Sequence, residues 1–442
     1  MGYTKDDIRR IVKEEDIRFI RLQFTDILGT QKSVAITIKQ LEKALSNECM
    51  FDGSSIEGFV RIEESDMYLY PDLDTFMVYP WTTEQGKMAK IICDVYSTDK
   101  KPFEGDPRYR LRKVLDEAKE MGYTMNVGPE CEFFLFKIND DGTINTNTTD
   151  TNGYFDLGAA SSGDTVCREI CLALEKSGFE IEASHHEVAP SQFEIDFKYS
   201  EALKAADNIV TFKTVVKHKA KVNGYHATFM PKPIFGEAGS GMHINISLFK
   251  DGKNVFFDET SKTGLSKTAE MFIAGVLKHT DAITAICNPT VNSYKRLVPN
   301  YEAPCYIAWS TENRSPLVRI PASRGLSTRM ELRSPDPSSN PYLAITACLA
   351  AGLDGIKNKL TPPEPVDQNL FAMSDAEREE KGIKSLPKDL YDALLALEND
   401  DVISDAMGEH IMAKYLTAKR QDWAEYTTNV TEWEKAKYLK AL

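Results

Sequence analysis

The sequence predicts an α+β protein of two domains, a small one over residues 1–103 and a large one over 104–442. Three observations carry this expectation: short β-rich runs around one helix before residue 103, a strong helix start at Asp106–Pro107, and downstream strands that alternate polar with apolar side chains. A chain of 442 residues with 42% hydrophobic composition can fill one small core and one large one.

In the first region, Ile17 to Phe24, Lys32 to Ile36 and Met88 to Val95 are rich in β-branched and aromatic residues, while Thr37 to Asn47 has helical spacing. Asp106 then supplies an N-cap carboxylate and Pro107 suits the first helical position, where its missing N–H costs nothing. Gly122 ends that run. Further helices are expected at about 164–177, 200–223 and 266–287, with several after Asn340.

The strands between those helices carry the functional signal. Glu130 and Glu132 are two apart, so an extended chain turns both to one face and sends Cys131, Phe133 and Leu135 to the other. The pattern recurs with Gln192, Glu194 and Asp196 against Phe193, Ile195 and Phe197. It recurs again with His243, Asn245 and Ser247 against Met242, Ile244 and Ile246, and with Arg329, Glu331 and Arg333 against Met330 and Leu332. With helices on the apolar side, the polar faces become a floor of Glu, His, Arg and Asn. Such a floor is costly unless cations or a charged ligand offset the repulsion. A sheet with one face in water is the plainer alternative, but solvent faces favour Lys and Thr, and these strands carry Glu, His and Arg.

Magnesium and manganese take oxygen ligands and tolerate an imidazole, and Glu130, Glu132, Glu187, Glu194, His243 and Glu331 meet that need. The run His185-His186-Glu187 is not read as a zinc site, because zinc favours Cys and His sets. Arg296, Arg314, Arg319, Arg324, Arg329 and Arg333 fall within 38 residues, a cluster suited to phosphate and carboxylate. Glu302 sits in a Pro-bounded segment, Pro299 to Pro304, that reads as a lid carrying one carboxylate. No P-loop or kinase-type glycine loop is present; Gly236 to Gly241 leads into the strand of His243 and not into a helix. If ATP binds, metals and arginines must hold it.

The bulk properties exclude other classes. A net charge of −14 opposes sequence-independent nucleic-acid binding. No apolar run of eighteen residues occurs and the opening residues are charged, so neither signal peptide nor membrane span is expected, and the expected compartment is the cytoplasm. Eight scattered cysteines, none in a C-x-x-C pair, are expected to be reduced.

The motifs DGSSIEGF from Asp52, Glu130-x-Glu132, HHEVAPSQFE ending at Glu194, GSGMH ending at His243, KRLVPNYEAP, NRSPLVRIP and RMELRSPDPSSNPY together resemble the type I glutamine synthetase family. The resemblance spans nearly the whole chain, with the motifs in the family's order and spacing. It implies a β-grasp-like small domain and a catalytic domain that ligates ammonia to L-glutamate through γ-glutamyl phosphate. ATP and two to three Mg²⁺ or Mn²⁺ ions per active site would be required.

By that resemblance one metal is held by Glu132, Glu187 and Glu194 and another by Glu130, His243 and Glu331. Arg314 and Arg333 hold the moving phosphoryl group, and Arg296 and Gly239 bind glutamate. Glu182, Tyr199, Asn245, Ser247, Arg319 and Arg329 serve ATP. Ammonium gathers near Asp52, Tyr154, Glu187 and Glu302, with Asp52 as base and Glu302 as the lid residue that excludes water. The resemblance further implies a dodecamer of two hexameric rings in which Asp52 reaches a neighbour's site, with a helical C-terminal segment from Asp405 between rings.

Two positions depart from relatives: Asn300 stands where many have glycine, and Phe371 where the adenylylated branch has tyrosine, so covalent control there should be lost. The short chain resembles the branch under glutamine feedback, with Arg61 in the regulatory place. A nitrogen-signalling protein partner is compatible with this reading. The alternatives are a γ-glutamyl ligase of the same fold that uses another amine, and a non-catalytic structural or signalling descendant. The ammonium pocket residues and the intact ligand set argue against each in turn.

Overall fold

Thr4 and Asp7 form a reciprocal capping box that starts a helix over Lys5–Glu14, whose Ile8 and Val12, one turn apart, are buried. Sequence reading expected a single helix in this region and missed this one, because only a narrow apolar stripe marks it. The expected helix near Thr37 is a 3₁₀ turn, Ile38–Gln40, followed by the short helix Leu41–Leu45. The computed structural model describes residues 2–56, 58–59, 65–83, 86–157 and 162–442, so Arg61 lies outside the described residues.

The small domain's sheet runs in the order Gln31–Thr37, Ile17–Thr25, Gly86–Tyr96, Asp66–Pro71, Cys49–Asp52, with Met77–Thr83 also paired to Gly86–Tyr96. Its central pairing, Ile17–Thr25 with Gly86–Tyr96, is parallel. Ile20, Leu22, Leu69, Ile91 and Val95 fill its core.

The large sheet runs in the order Trp309–Ser310, Val318–Arg319, Met330–Leu332, Met242–Lys250, Thr124–Ile138, Gln192–Phe197, Ile181–His186. It is antiparallel except for the first pair, which is parallel. The helices Pro107–Glu120, Ser162–Lys176 and Ala202–Val222 pack on its strands. Cys131, Phe133, Ile195, Ile244, Ile246 and Met330 are buried in the resulting core, as the alternation required. The opposite face is left to the polar side chains.

Arg108 ties the two domains together. It is 2% exposed and donates to Asp207 of the Ala202–Val222 helix and to Asp72 and Asp94 beside the small sheet. Lys90 donates to Thr211 across the same junction, and the Trp81 ring stacks on His218 at 3.9 Å. No helix among the described residues is long and apolar enough to cross a membrane.

The expected helix over 266–287 is two, Lys267–Lys278 and Thr280–Cys287, broken at His279. The His279 ring is buried, with Nδ1 2.6 Å from Asp400 and Nε2 2.9 Å from Asp354, so the break is held by two carboxylates from other helices. Burial disfavours its charged form, but the hydrogen bonds and charges of Asp400 and Asp354 outweigh that and raise its pKa. The raised value means that its stabilisation is complete below the ordinary histidine pKa of about 6.5 and is lost as pH rises through the higher folded value. Thermal midpoints measured from pH 6 upward should therefore fall more steeply for the wild type than for His279→Gln. Parallel curves would show that the triad does not titrate with folding.

Candidate active site

The register of the large sheet brings the predicted residues together. Glu132 faces Glu194 and Glu130 faces Asp196 on adjacent strands, while His243 lies across from Glu130 on the other side. Glu331 pairs with Asn245 and with Arg319, and His185 with Glu194. Carboxylates placed directly across from one another repel. Cations or bound protons relieve that repulsion.

A cavity of about 490 Å³ opens over this floor. All six predicted metal ligands line it, as do Tyr154, Gly239, Arg296, Glu302, Arg314, Arg319 and Arg333. A second chamber of about 270 Å³ is lined by Glu182, Tyr199, Asn245, Ser247 and Arg329. Glu130 and Asp196 belong to both walls, so the chambers meet there. Arg319, grouped with the nucleotide residues by the resemblance, lies in the larger chamber, where its Nη1 donates to Glu331 at 2.8 Å. Asp52 lines neither chamber of its own chain.

Electrostatics follow the crowding. Burial and the neighbouring Glu132 push Glu187 up to about 8, and burial with Glu130 pushes Asp196 up to about 7. Burial and the facing Glu132 also raise Glu194. Glu130 goes the other way. Burial would raise it, but His243, Asn245 and Arg333 outweigh that and hold it at about 2. Asp52, fully exposed, is lowered by hydrogen bonds from the Ser54 hydroxyl and N–H.

Among the described residues, two groups place ligand atoms within 4.8 Å of one another: Glu130, His243 and Glu331, and His185, Glu194 and Asp196. The first is one of the predicted sets. In the second, Glu194 stands with His185, whose Nδ1 lies 3.4 Å from Glu187. Glu132 is turned so that its Oε2 accepts from Gln192 and from the Gly241 N–H.

The glycines of the Gly239-Ser-Gly241 turn have a steric cause. A Cβ on Gly239 would meet the Pro231 carbonyl at 2.3 Å, and one on Gly241 would meet Arg296 Nη2 at 2.5 Å. This close approach seats Arg296, fully buried and hydrogen-bonded only to the carbonyls of Arg333, Ser334 and Pro335, with no carboxylate partner among the described residues. Asn300 and Glu302 both have positive φ, 72° and 58°, and Lys232 sits over the ring of Tyr301 between them. Asn300, expected from the resemblance to stand where many relatives have glycine, is left-handed.

Residues 104–438 match the model described as "Glutamine synthetase, catalytic domain", and residues 16–98 match "Glutamine synthetase, beta-Grasp domain". The chain belongs to the glutamine synthetase family. It is 60% identical over 437 residues to a glutamine synthetase of Clostridium saccharobutylicum, covering 99% of each chain. It is also 60% identical over 439 residues to one of Staphylococcus aureus (strain MW2), covering 99% of this chain and 98% of that one. A solved structure described as "GmaS/ADP complex-Conformation 1" aligns with a TM-score of 0.90 at 34% identity over 100% of both chains. A cryoEM structure of Plasmodium falciparum glutamine synthetase aligns at 0.87 with 26% identity over 99% of each.

As a member of the glutamine synthetase family the chain is a glutamate–ammonia ligase, which makes L-glutamine from L-glutamate and ammonia at the expense of ATP. The family uses ATP and a divalent metal. Within this site, reading of the sequence placed Asp196 and Gln192 on the polar face without giving either a role, although their period of two from Glu194 was visible. Leu326 and Ser327, which line the smaller chamber, sit in the 3₁₀ turn Gly325–Ser327, too short to carry a periodic signal.

Proposed function

We propose that glutamate and ammonia are joined in the larger chamber, with ATP held in the smaller one and its terminal phosphate directed across the shared wall of Glu130 and Asp196. The observation that carries this reading is that six predicted ligands and four arginines, from the polar sheet face and the segments beside it, line one cavity that adjoins a second. The donor set, carboxylate oxygens with one imidazole, suits magnesium or manganese. A buried Asp196 oxygen has no hydrogen-bond partner, as a carboxylate awaiting a cation or a donor would have none, and Arg333 Nε is likewise buried without an acceptor.

Glu130, His243 and Glu331 would hold one ion and Glu132, Glu187 and Glu194 another, two to three per site in all. When bound, such ions neutralise charge on phosphate oxygens and orient the reacting carboxylate. The protein's own groups do the rest. Arg296 clamps the α-carboxylate of glutamate beside Gly239, and Arg314 and Arg333 face the phosphoryl group passed from ATP to the γ-carboxylate. Glu182, Tyr199, Asn245, Ser247, Arg319 and Arg329 take the nucleotide. Tyr154, Glu187, Glu302 and Asp52 attract ammonium; an Asp52 carboxylate oxygen accepts a proton from it, and the ammonia so formed attacks the carbonyl carbon of the acyl phosphate, whose phosphate departs and takes up the second proton. Because Asp52 lines neither chamber of its own chain, it serves a neighbour's site in a dodecamer of two hexameric rings. The division into domains falls at residues 103/104, and the assembly works in the cytoplasm.

Purified protein supplied with ATP, magnesium and glutamate should form glutamine only when ammonium is present, one phosphate for each. Glutamine formation from another amine alone would overturn the reading. With Glu302→Ala, which removes a side chain that lines the larger chamber, water should reach the acyl phosphate. Phosphate release should then exceed glutamine formation several-fold. A ratio that stays at one would remove Glu302 from the lid role.

A further inference from the structure

The geometry points to Gln192 as a positioning residue that couples metal binding at Glu132 to glutamate binding at Gly239. The inference rests on the placement of metal and glutamate proposed above and adds a residue to it.

Gln192 lies two positions before Glu194 on the strand Gln192–Phe197 and is 1% exposed. Its Nε2 is 2.8 Å from Glu132 Oε2, 3.1 Å from the Gly239 carbonyl and 3.3 Å from Ser240 Oγ. Its Oε1 accepts from the Ala189 N–H at 3.1 Å, which fixes which end of the amide faces Glu132. Its backbone carbonyl accepts from the Glu187 N–H at 2.8 Å. One residue thus touches Glu132, the turn that carries Gly239, and the segment that carries Glu187.

The amide has two hydrogens for three acceptors, so it cannot satisfy all of them at once. The Gly241 N–H reaches the same Glu132 oxygen at 2.9 Å, so both donors act on Oε2 and Oε1 is the oxygen left for a ligand. Aspartate or glutamate at 192 would set a carboxylate against Glu132, and an aliphatic residue would offer it no donor. A cation drawn to Glu132 fixes that carboxylate, and with it the amide that holds the Gly239 carbonyl. Glutamate seated at Gly239 fixes the same amide from the other side. Each ligand therefore prepares the site for the other, and by linkage the effect is reciprocal. The nucleotide-side chamber does not include Gln192 and should be indifferent.

The test is calorimetry on the full-length protein without turnover, titrating Mn²⁺, then L-glutamate with and without Mn²⁺, then ADP as a control. In wild type, Mn²⁺ should tighten glutamate by roughly 5- to 150-fold, the usual span of coupling between sites. Gln192→Met should weaken Mn²⁺ by about 10- to 100-fold, the usual cost of losing a ligand's orienting partner, and bring the glutamate ratio to about one with ADP affinity kept. Gln192→Glu, which preserves shape and loses the donor, should do the same, so a misfolded methionine variant would not decide the matter. Wild-type coupling retained in either folded variant, no coupling in wild type, or equal loss of all three ligands would overturn the inference. Glu132→Gln separates the two readings. If it leaves Mn²⁺ binding unchanged, the metal placement fails and the inference falls with it; if it weakens Mn²⁺ while the Gln192 variants keep their coupling, only the inference fails.

Discussion

Replacing Glu331 with alanine is expected to abolish glutamine synthesis and to destabilise the large domain together. Glu331 is 2% exposed in the centre of the sheet, with one carboxylate oxygen accepting from Arg319 and the other from Arg333, and with His243 Nδ1 3.5 Å away. Removal of this carboxylate leaves the Arg333 guanidinium, which already has one buried donor without an acceptor, as a largely buried charge without the carboxylate it pairs with. Breaking a buried pair in this way costs about 3–5 kcal/mol. Activity should fall by about 10³-fold or more, because a predicted metal ligand and the geometry of an arginine that faces the phosphoryl group are lost at once. Glu331→Gln keeps the shape and part of the hydrogen bonding, and should recover much of the stability but little of the rate. Initial rates and urea midpoints on the two variants check this. An alanine variant within tenfold of the wild-type rate would remove Glu331 from the site.

The second large effect is expected far from the chemistry. Arg108→Met removes the cation that Asp72, Asp94 and Asp207 share, and the Tyr342 hydroxyl is left donating to an Asp207 that has lost its guanidinium. Arg112 also reaches Asp72 and Asp94 but is partly exposed, and it cannot take over the buried carboxylate of Asp207. The expected cost is again about 3–5 kcal/mol, concentrated at the junction of the domains. Arg108→Lys should fall between wild type and methionine, since an ammonium cannot make the two parallel bonds that the guanidinium makes to Asp207. Denaturant midpoints and the rate of proteolysis between the domains measure it. A methionine variant as stable and protease-resistant as the wild type would show that the cluster does not hold the domains together.

Much of the catalytic floor was legible before any fold was known, because a strand has a period of two and that period is written directly in side-chain chemistry. Glu130 with Glu132 and His243 with Asn245 declared a shared face, and the family motifs supplied their partners. The helix start at Asp106, with its strong cap, was equally plain. Elements marked only by a thin apolar stripe were not. Lys5–Glu14 was missed, and the helix over 266–287 was read as continuous because nothing local to His279 signals a break; the carboxylates that hold it come from 75 and 121 residues away.

By itself, then, the sequence determined the family, the acidic and arginine-rich ligand set, and which residues share a strand face, since these depend on residue identity and short-range periodicity. Only the tertiary structure decided which strands lie side by side, that Glu130 and Asp196 form the wall between two chambers, that Gln192 joins Glu132 to the Gly239 turn, and that Arg108 is the knot between domains. The contacts span 14 to 99 positions in the case of Arg108, and 47 to 60 in the case of Gln192. No local preference encodes such contacts, because their energy exists only after the chain has closed the intervening loops.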